Sequence, residues 1–279
     1  MHKSNAAVTA RSSFKARHAG RRMRRVSAAL LLAALLGIAG CASGGPSNAA
    51  ASSAGKASNE TASYFAQQEV RPSPEWVTNL DAAKDASTKQ LIVVAGVDKS
   101  TAYVTMHEKN ADGSWQQIVA TPGFIGLEGL GPADSDHSYT PVGTFTIDKA
   151  FGLAEDPGCK MGYLQVDDTY YWSGDEREGM RFNELVSIED LPDLDLEKSE
   201  HIADFDYAYQ YVLNMGFNAD CKPDGGSAFF FHSFRVNRPY TGGCVAVPED
   251  IMRFVMTHIE PGCKITIDSL QNFGGDLDA

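Results

Sequence analysis

Phe229-Phe230-Phe231-His232-Ser233, followed by Thr241-Gly242-Gly243-Cys244-Val245, is the stretch on which the reading of this chain turns. An apolar run that ends in histidine reads as a buried strand carrying an imidazole to its exposed end. Thr-Gly-Gly-Cys reads as a tight turn whose glycines let backbone N–H groups crowd a reacting atom. A cysteine holds a thiolate only beside a base or a cation, and histidine is the usual one. A strand-turn-strand return would bring Cys244 and His232 together in space, and that pair points to a cysteine acyltransferase. The competing reading makes Cys244 a core thiol, since free cysteines are among the most buried residues. His232 taken alone is a satisfied strand-end histidine, and the phenylalanines before it are core.

Working outward to the N-terminus, Lys3, Arg11, Lys15, Arg17, Arg21, Arg22, Arg24 and Arg25 stand without an acid before the apolar run from Val26 to Ala39. A basic region, a short apolar region and a small-residue exit make a secretory signal over residues 1–40. The run is too short for a comfortable membrane span. Its end, Ile38-Ala39-Gly40-Cys41, resembles a bacterial lipobox, which implies lipidation of Cys41. The plain alternative is an ordinary signal peptide cut elsewhere. Loss of those eight basic residues takes the formal charge from -12 to -20. So acidic a body argues against nucleic acid and against lying on an anionic bilayer. Residues 41–72 read as the lipidated cysteine and a tether, because the Ala, Ser, Gly and Asn run to about Ser63 cannot offset its ordering entropy.

The body, residues 73–268, reads as mostly β with a few short helices. Ser73-Pro74-Glu75 has the look of a helix start. Strands are expected at Leu91 to Val97, Thr101 to Lys109, Trp115 to Ala120, Phe145 to Ile147, Tyr163 to Val166, Tyr207 to Leu213, Ala228 to His232 and Lys264 to Asp268. Asn110-Ala111-Asp112-Gly113 is a hairpin turn. Pro248-Glu249-Asp250 opens a helix near the C-terminus whose apolar face is Ile251, Phe254, Val255 and Ile259, and Pro261-Gly262 stops it. The acidic run Ile188 to Glu200 reads as a solvated loop, and residues 269–279 as a tail.

Three stretches in order resemble the YkuD (ErfK/YbiS/YcfS/YnhG) family of L,D-transpeptidases. They are Tyr139-Thr140-Pro141-Val142-Gly143-Thr144-Phe145 with Ala150-Phe151-Gly152 after it, Gly226 to His232, and Thr241 to Val245. The resemblance covers most of residues 90–268 and implies a mixed β-sandwich or barrel-like domain acting on bacterial peptidoglycan stem peptides. It implies Cys244 as nucleophile, His232 as base, and the backbone N–H groups of Gly243 and Cys244 as oxyanion hole. It further implies an exported enzyme, lipid-anchored at the outer face of the cell membrane or in the cell wall, that forms 3→3 cross-links with loss of terminal D-alanine. Hydrolysis at the same acyl-enzyme (an L,D-carboxypeptidase) and a silent peptidoglycan-binding lipoprotein stay open.

The chain departs from the family pattern at two positions. Many members carry histidine two places before the cysteine and arginine two after it, where this chain has Gly242 and Ala246. Arg235 and Arg238 are the expected replacement contacts to a stem carboxylate. Tyr240 and Thr241 are turn residues that could line the donor groove, and Ser233 either orients the imidazole or caps a turn. No cofactor and no metal is expected, because no C-x-x-C or H-E-x-x-H spacing occurs. With Cys41 and Cys244 set aside, Cys159, Cys221 and Cys263 remain, and one disulfide with one free thiol is the simplest outcome outside the cell. Cys221 with Cys263 is the expected bridge.

Overall fold

The computed structural model describes residues 70–133, 137–234 and 237–276. The signal region, Cys41, the tether up to residue 69 and Arg235 lie outside those residues; Arg71 and Pro72, at the end of the stretch read as tether, pair with Gln117 and Gln116. In chain order the first strands are β1 (Arg71–Pro72), β2 (Gln90–Asp98), β3 (Thr101–Lys109), β4 (Trp115–Phe124), β5 (Gly129–Gly131) and β6 (Tyr139–Pro141). Next come β7 (Gly143–Thr146), β8 (Lys149–Gly152), β9 (Leu164–Gln165), β10 (Tyr170–Trp172), β11 (Leu185–Ser187) and β12 (Glu200–His201). The last are β13 (Val212–Asn214), β14 (Phe230–Ser233), β15 (Val245–Val247) and β16 (Lys264–Ser269). The helices are α1 (Glu75–Thr78), α2 (Asp81–Lys84) and α3 (Glu249–His258).

One mixed sheet runs β7-β16-β2-β3-β4-β15-β14-β13-β8-β9, with β1 added against β4. The mostly-β expectation therefore holds, as does the single helix near the C-terminus. β2, β3 and β4 form an antiparallel meander, whereas β14 with β15, and β16 with β2, pair in parallel. Between β15 and β16 the chain crosses β4, β3 and β2 to the far side of the meander by way of α3. Its Ile251, Met252, Val255 and Met256 are buried on one face of the sheet against Ile92, Val94, Leu213, Phe231, Val245 and Ile265. Each such side chain contributes about 1.5–3 kcal/mol on burial.

The opposite face is covered in two parts. At one end, Trp76, Val77, Ala82 and Ala83 of α1 and α2 pack on Leu91, Val93 and Ala95. At the other, a small sheet ordered β11-β10-β12 and the 3-10 segments Ile202–Phe205 and Ala208–Gln210 bring Trp172, Leu185, Ile202 and Tyr209 onto Phe151, Val212, Phe230 and Cys244. Phe273, beyond β16, stacks on Trp76 at 6.1 Å.

Several local expectations are corrected. Ser73 caps no helix; Pro74 holds that position, and the Ser73 hydroxyl instead meets His107 Nδ1 at 2.8 Å. Tyr207 to Leu213 is a strand only from Val212, because Ala208–Gln210 coils to aim Tyr209 at the core. Strand β14 begins at Phe230, since Ala228 sits at φ +60°. The acidic stretch is a loop, but not a fully solvated one: Leu194 is buried and the Asp195 N–H donates to the buried Asp175 at 3.0 Å. No bridge joins Cys221 to Cys263, for Cys159, Cys221, Cys244 and Cys263 are all free thiols. Cys263 lies in the core beneath α3, whereas Cys221 stands in a half-exposed turn at φ +51°.

Candidate active site

Because β14 and β15 run parallel, the register sets Phe231 beside Val245 and His232 beside Ala246. One step back along both strands puts Cys244 beside Phe230, and the Phe230 N–H donates to Cys244 Sγ at 3.4 Å. Residues two apart on a strand share a face, so Cys244 and His232 project from the same side of the sheet. They stand one strand over and two residues along, which separates their Cα atoms by roughly 8 Å. An imidazole and a thiol can span that distance. The apolar residues between them, Phe231 and Val245, point the other way into the core beneath α3.

The imidazole has a defined orientation. His232 Nδ1 lies 2.7 Å from the Ser233 carbonyl, which can only accept, so Nδ1 carries the proton and Nε2 is the basic nitrogen of the neutral ring. The Ser233 main chain performs this orienting. Its hydroxyl alternates to the helix side of the sheet, buried and without a hydrogen-bond partner. The Tyr209 ring meets the His232 ring edge-to-face, with centroids 5.3 Å apart.

Cys244 is 9% exposed and held as a thiol. Its Sγ–H donates to the Ala228 carbonyl at 3.4 Å. Burial pushes the thiol up from an ordinary value near 9 to about 12, and the Glu200 carboxylate opposes ionisation further. The Phe230 and Cys244 N–H groups and the Tyr209 hydroxyl act in the opposite sense, as donors toward the sulfur. Free of any disulfide, the sulfur stands at the edge of an aromatic enclosure in which Phe230 meets Trp172 at 4.8 Å and Phe151 at 5.7 Å.

The turn before Cys244 is built by two threonines. The Thr241 hydroxyl accepts the Gly243 N–H at 3.1 Å and donates to the Cys244 carbonyl at 2.6 Å. The Thr140 hydroxyl accepts the Gly126 N–H at 2.8 Å and donates to the same carbonyl at 3.3 Å. Thr140-Pro141 therefore braces the Thr241 to Cys244 turn from another strand. Gly243 sits at φ +142°, and a Cβ there would fall 2.7 Å from Phe229 Cε1 and 2.9 Å from the Tyr139 carbonyl. Only glycine fits. Gly242 faces open space, where a side chain would meet nothing, and Ala246 is buried between β14 and β4.

Of the residues singled out from sequence, Cys244, His232, Thr241 and Gly243 converge here. Arg238 is exposed on the loop between them, its guanidinium 5.6 Å from the centre of the Tyr240 ring. Sequence reasoning missed Tyr209, Glu200 and Asn183. The Asn183 carboxamide oxygen accepts the Trp172 indole N–H at 3.0 Å and the Ala228 N–H at 3.3 Å, so it fixes the carbonyl that holds the thiol. Nothing in the spacing of these residues joins them to Cys244; the small covering sheet does. Among the described residues no three His, Cys, Asp or Glu side chains are grouped as metal ligands.

No family model and no curated protein matches this chain. Among solved structures, it is similar to the helical cell shape determining protein Pgp2 from Campylobacter jejuni, at 14% identity and a TM-score of 0.34, over 65% of this chain and 48% of that one. It is also similar to a fused Zn-dependent amidase/peptidase/peptidoglycan-binding domain-containing protein from Clostridium acetobutylicum, at 15% identity and a TM-score of 0.29, over 72% and 66%. The chain thus spans between about half and two thirds of those proteins. These neighbours are a cell-shape protein and a peptidoglycan-associated one.

Proposed function

We propose that this chain is a peptidoglycan L,D-transpeptidase working through an acyl-enzyme on Cys244. The observation that carries the reading is the parallel pairing of β14 and β15, which sets Cys244 and His232 on one face of the sheet. His232 Nε2 takes the thiol proton as the sulfur attacks the carbonyl of the diamino residue of a tetrapeptide stem. Charge develops on that carbonyl oxygen, and the Cys244 N–H beside the sulfur is the first donor to it. The Gly243 N–H joins when it leaves the Thr241 hydroxyl. The C–N bond breaks, and the proton held by His232 passes to the amine of the departing D-alanine. The amine of a neighbouring stem then attacks the thioester, loses its proton to His232, and the thiol is restored.

Around that centre, Arg238 with Tyr240, and Arg235 three positions earlier in the sequence, would receive a stem carboxylate in place of the arginine replaced by Ala246. Export behind the signal region and a lipid on Cys41 would hold the enzyme at the outer face of the cell membrane, with peptidoglycan as its partner. A hydrolytic variant of the same chemistry, L,D-carboxypeptidase action, is favoured by one observation: with Cys244 only 9% exposed, water reaches the thioester more easily than a second stem does.

Incubation with a carbapenem, a class that acylates enzymes resembling this one, followed by intact mass, tests the reading. The folded wild type should gain one adduct, and Cys244→Ala none. No adduct on the reduced wild type would leave a peptidoglycan-binding protein as the better account. Stem peptide with and without an acceptor then separates a cross-linked dimer from simple release of D-alanine.

A further inference from the structure

The face that carries Cys244 also carries a buried tyrosine hydrogen-bonded to a carboxylate. Strand β12 pairs with β10 so that Glu200 stands opposite Trp172, and the following 3-10 segment brings Tyr209 over the same spot. The Tyr209 hydroxyl donates to Glu200 Oε1 at 2.7 Å, and Tyr209 packs in the same buried cluster as Cys244, both of them against Phe230. Its ring is fixed edge-to-face against both Phe230 and His232, at 5.7 and 5.3 Å. Glu200, Tyr209 and His232 are the ionisable side chains that β12, the 3-10 segment and β14 bring to this face.

A phenol has one proton to donate. In the resting protein that proton goes to the carboxylate, and the thiol keeps its own proton by donating to Ala228. A thiolate formed on Cys244 changes the balance, because a buried anion attracts the nearest donor. Taking Cys244 as the nucleophile of the acyl-transfer reading, we propose that Glu200 and Tyr209 govern its ionisation. The tyrosine O–H swings from the carboxylate to the sulfur as the thiol proton passes to His232, and swings back when the thiol is restored. No bond to the phenol is made or broken beyond that hydrogen bond. Tyr209 is then a catalytic residue, in contact with the reacting sulfur. Glu200 is a positioning residue that parks the donor and holds the resting cysteine neutral, which suits an enzyme in an oxidising exterior where thiolates are the form that oxidises.

The test is site-resolved alkylation of the full chain by iodoacetamide across a pH series, read by peptide mass for each cysteine separately. Tyr209→Phe and Glu200→Gln keep shape and change only the groups at issue. At a fixed pH of about 9, where the thiolate is the reacting species, Tyr209→Phe should slow Cys244 alkylation roughly threefold or more. Glu200→Gln should speed it by a similar factor, with Cys221 unchanged in both. Equal changes of one sign would mean looser packing and overturn the proposal, as would no change in either. Should one variant fail to fold, the sign of the other decides alone. Because alkylation needs neither substrate nor acyl transfer, opposite shifts in a protein that no carbapenem acylates would uphold the pair and sink the acyl-transfer reading.

Discussion

Strand β14 separates two regions with opposite chemistry. On the side toward α3, Phe231 and its neighbours Leu213, Val245 and Val247 are wholly apolar and bury their surface against the helix. On the other side, Phe230 and His232 share space with Cys244, Tyr209 and Asn183, and hydrogen bonds and aromatic edges run through the apolar packing. Both sides are buried, so burial does not distinguish them. What distinguishes them is that the second side holds polar groups paired to main-chain atoms and to one another. The first side stabilises the sheet, and the second spends that stability holding a thiol and an imidazole in register.

Mutations should separate the two sides cleanly. Phe231→Ala empties a fully buried site and should cost about 3–5 kcal/mol in chemical denaturation. Cys244→Ala should leave the denaturation midpoint close to wild type while removing all acyl adduct. Equal destabilisation by both would erase the distinction. Gly243→Ala should come next, at about 1–3 kcal/mol, because it combines a left-handed backbone with contacts under 3 Å to Phe229 and Tyr139. Its carbapenem acylation should fall far more than its melting temperature. Thr140→Val removes a hydroxyl that joins the Gly126 N–H to the Cys244 carbonyl. A loss of about 1–3 kcal/mol is expected, together with slower acylation, and unchanged acylation would free the Thr-Pro segment of any part in shaping the turn.

The smallest effect is in pH dependence. The fold opposes ionisation of Cys244, so the folded protein binds that proton more tightly than the unfolded chain does. This contribution is complete below about pH 9 and is lost as pH rises toward 12. Cys263, pushed up to about 12 by its own burial, contributes in the same sense from the apolar side. Melting temperature should therefore fall above pH 9, and Cys244→Ala should fall less steeply than wild type. An identical slope would place the sulfur in contact with water.

Much of the sheet was legible in the sequence because Leu91 to Val97 is an apolar run, Thr101 to Lys109 alternates, and an Asn-Ala-Asp-Gly turn returns β3 into β4. Helix α3 was legible from its proline start and Pro-Gly stop. The positions of His232 and Cys244 were legible because the first ends the apolar run Phe229 to Phe231 and the second follows a Thr-Gly-Gly turn. Tyr209 was not, because Tyr207 to Leu213 has the composition of a strand, and only the covering layer coils it. Glu200 closes a run of acids that reads as solvent-facing, yet pairing of β12 with β10 carries it inward. Ser233 misled in the other direction: its main chain, which no sequence pattern marks, orients the imidazole.

The most direct measurement is to quench the wild-type protein during reaction with a tetrapeptide stem and digest it for peptide mass spectrometry. A tripeptidyl thioester on Cys244, with free D-alanine in the supernatant and neither product from His232→Ala, is the predicted result. D-alanine release with Cys244 unmodified at every time point, and persisting in Cys244→Ala, would contradict it.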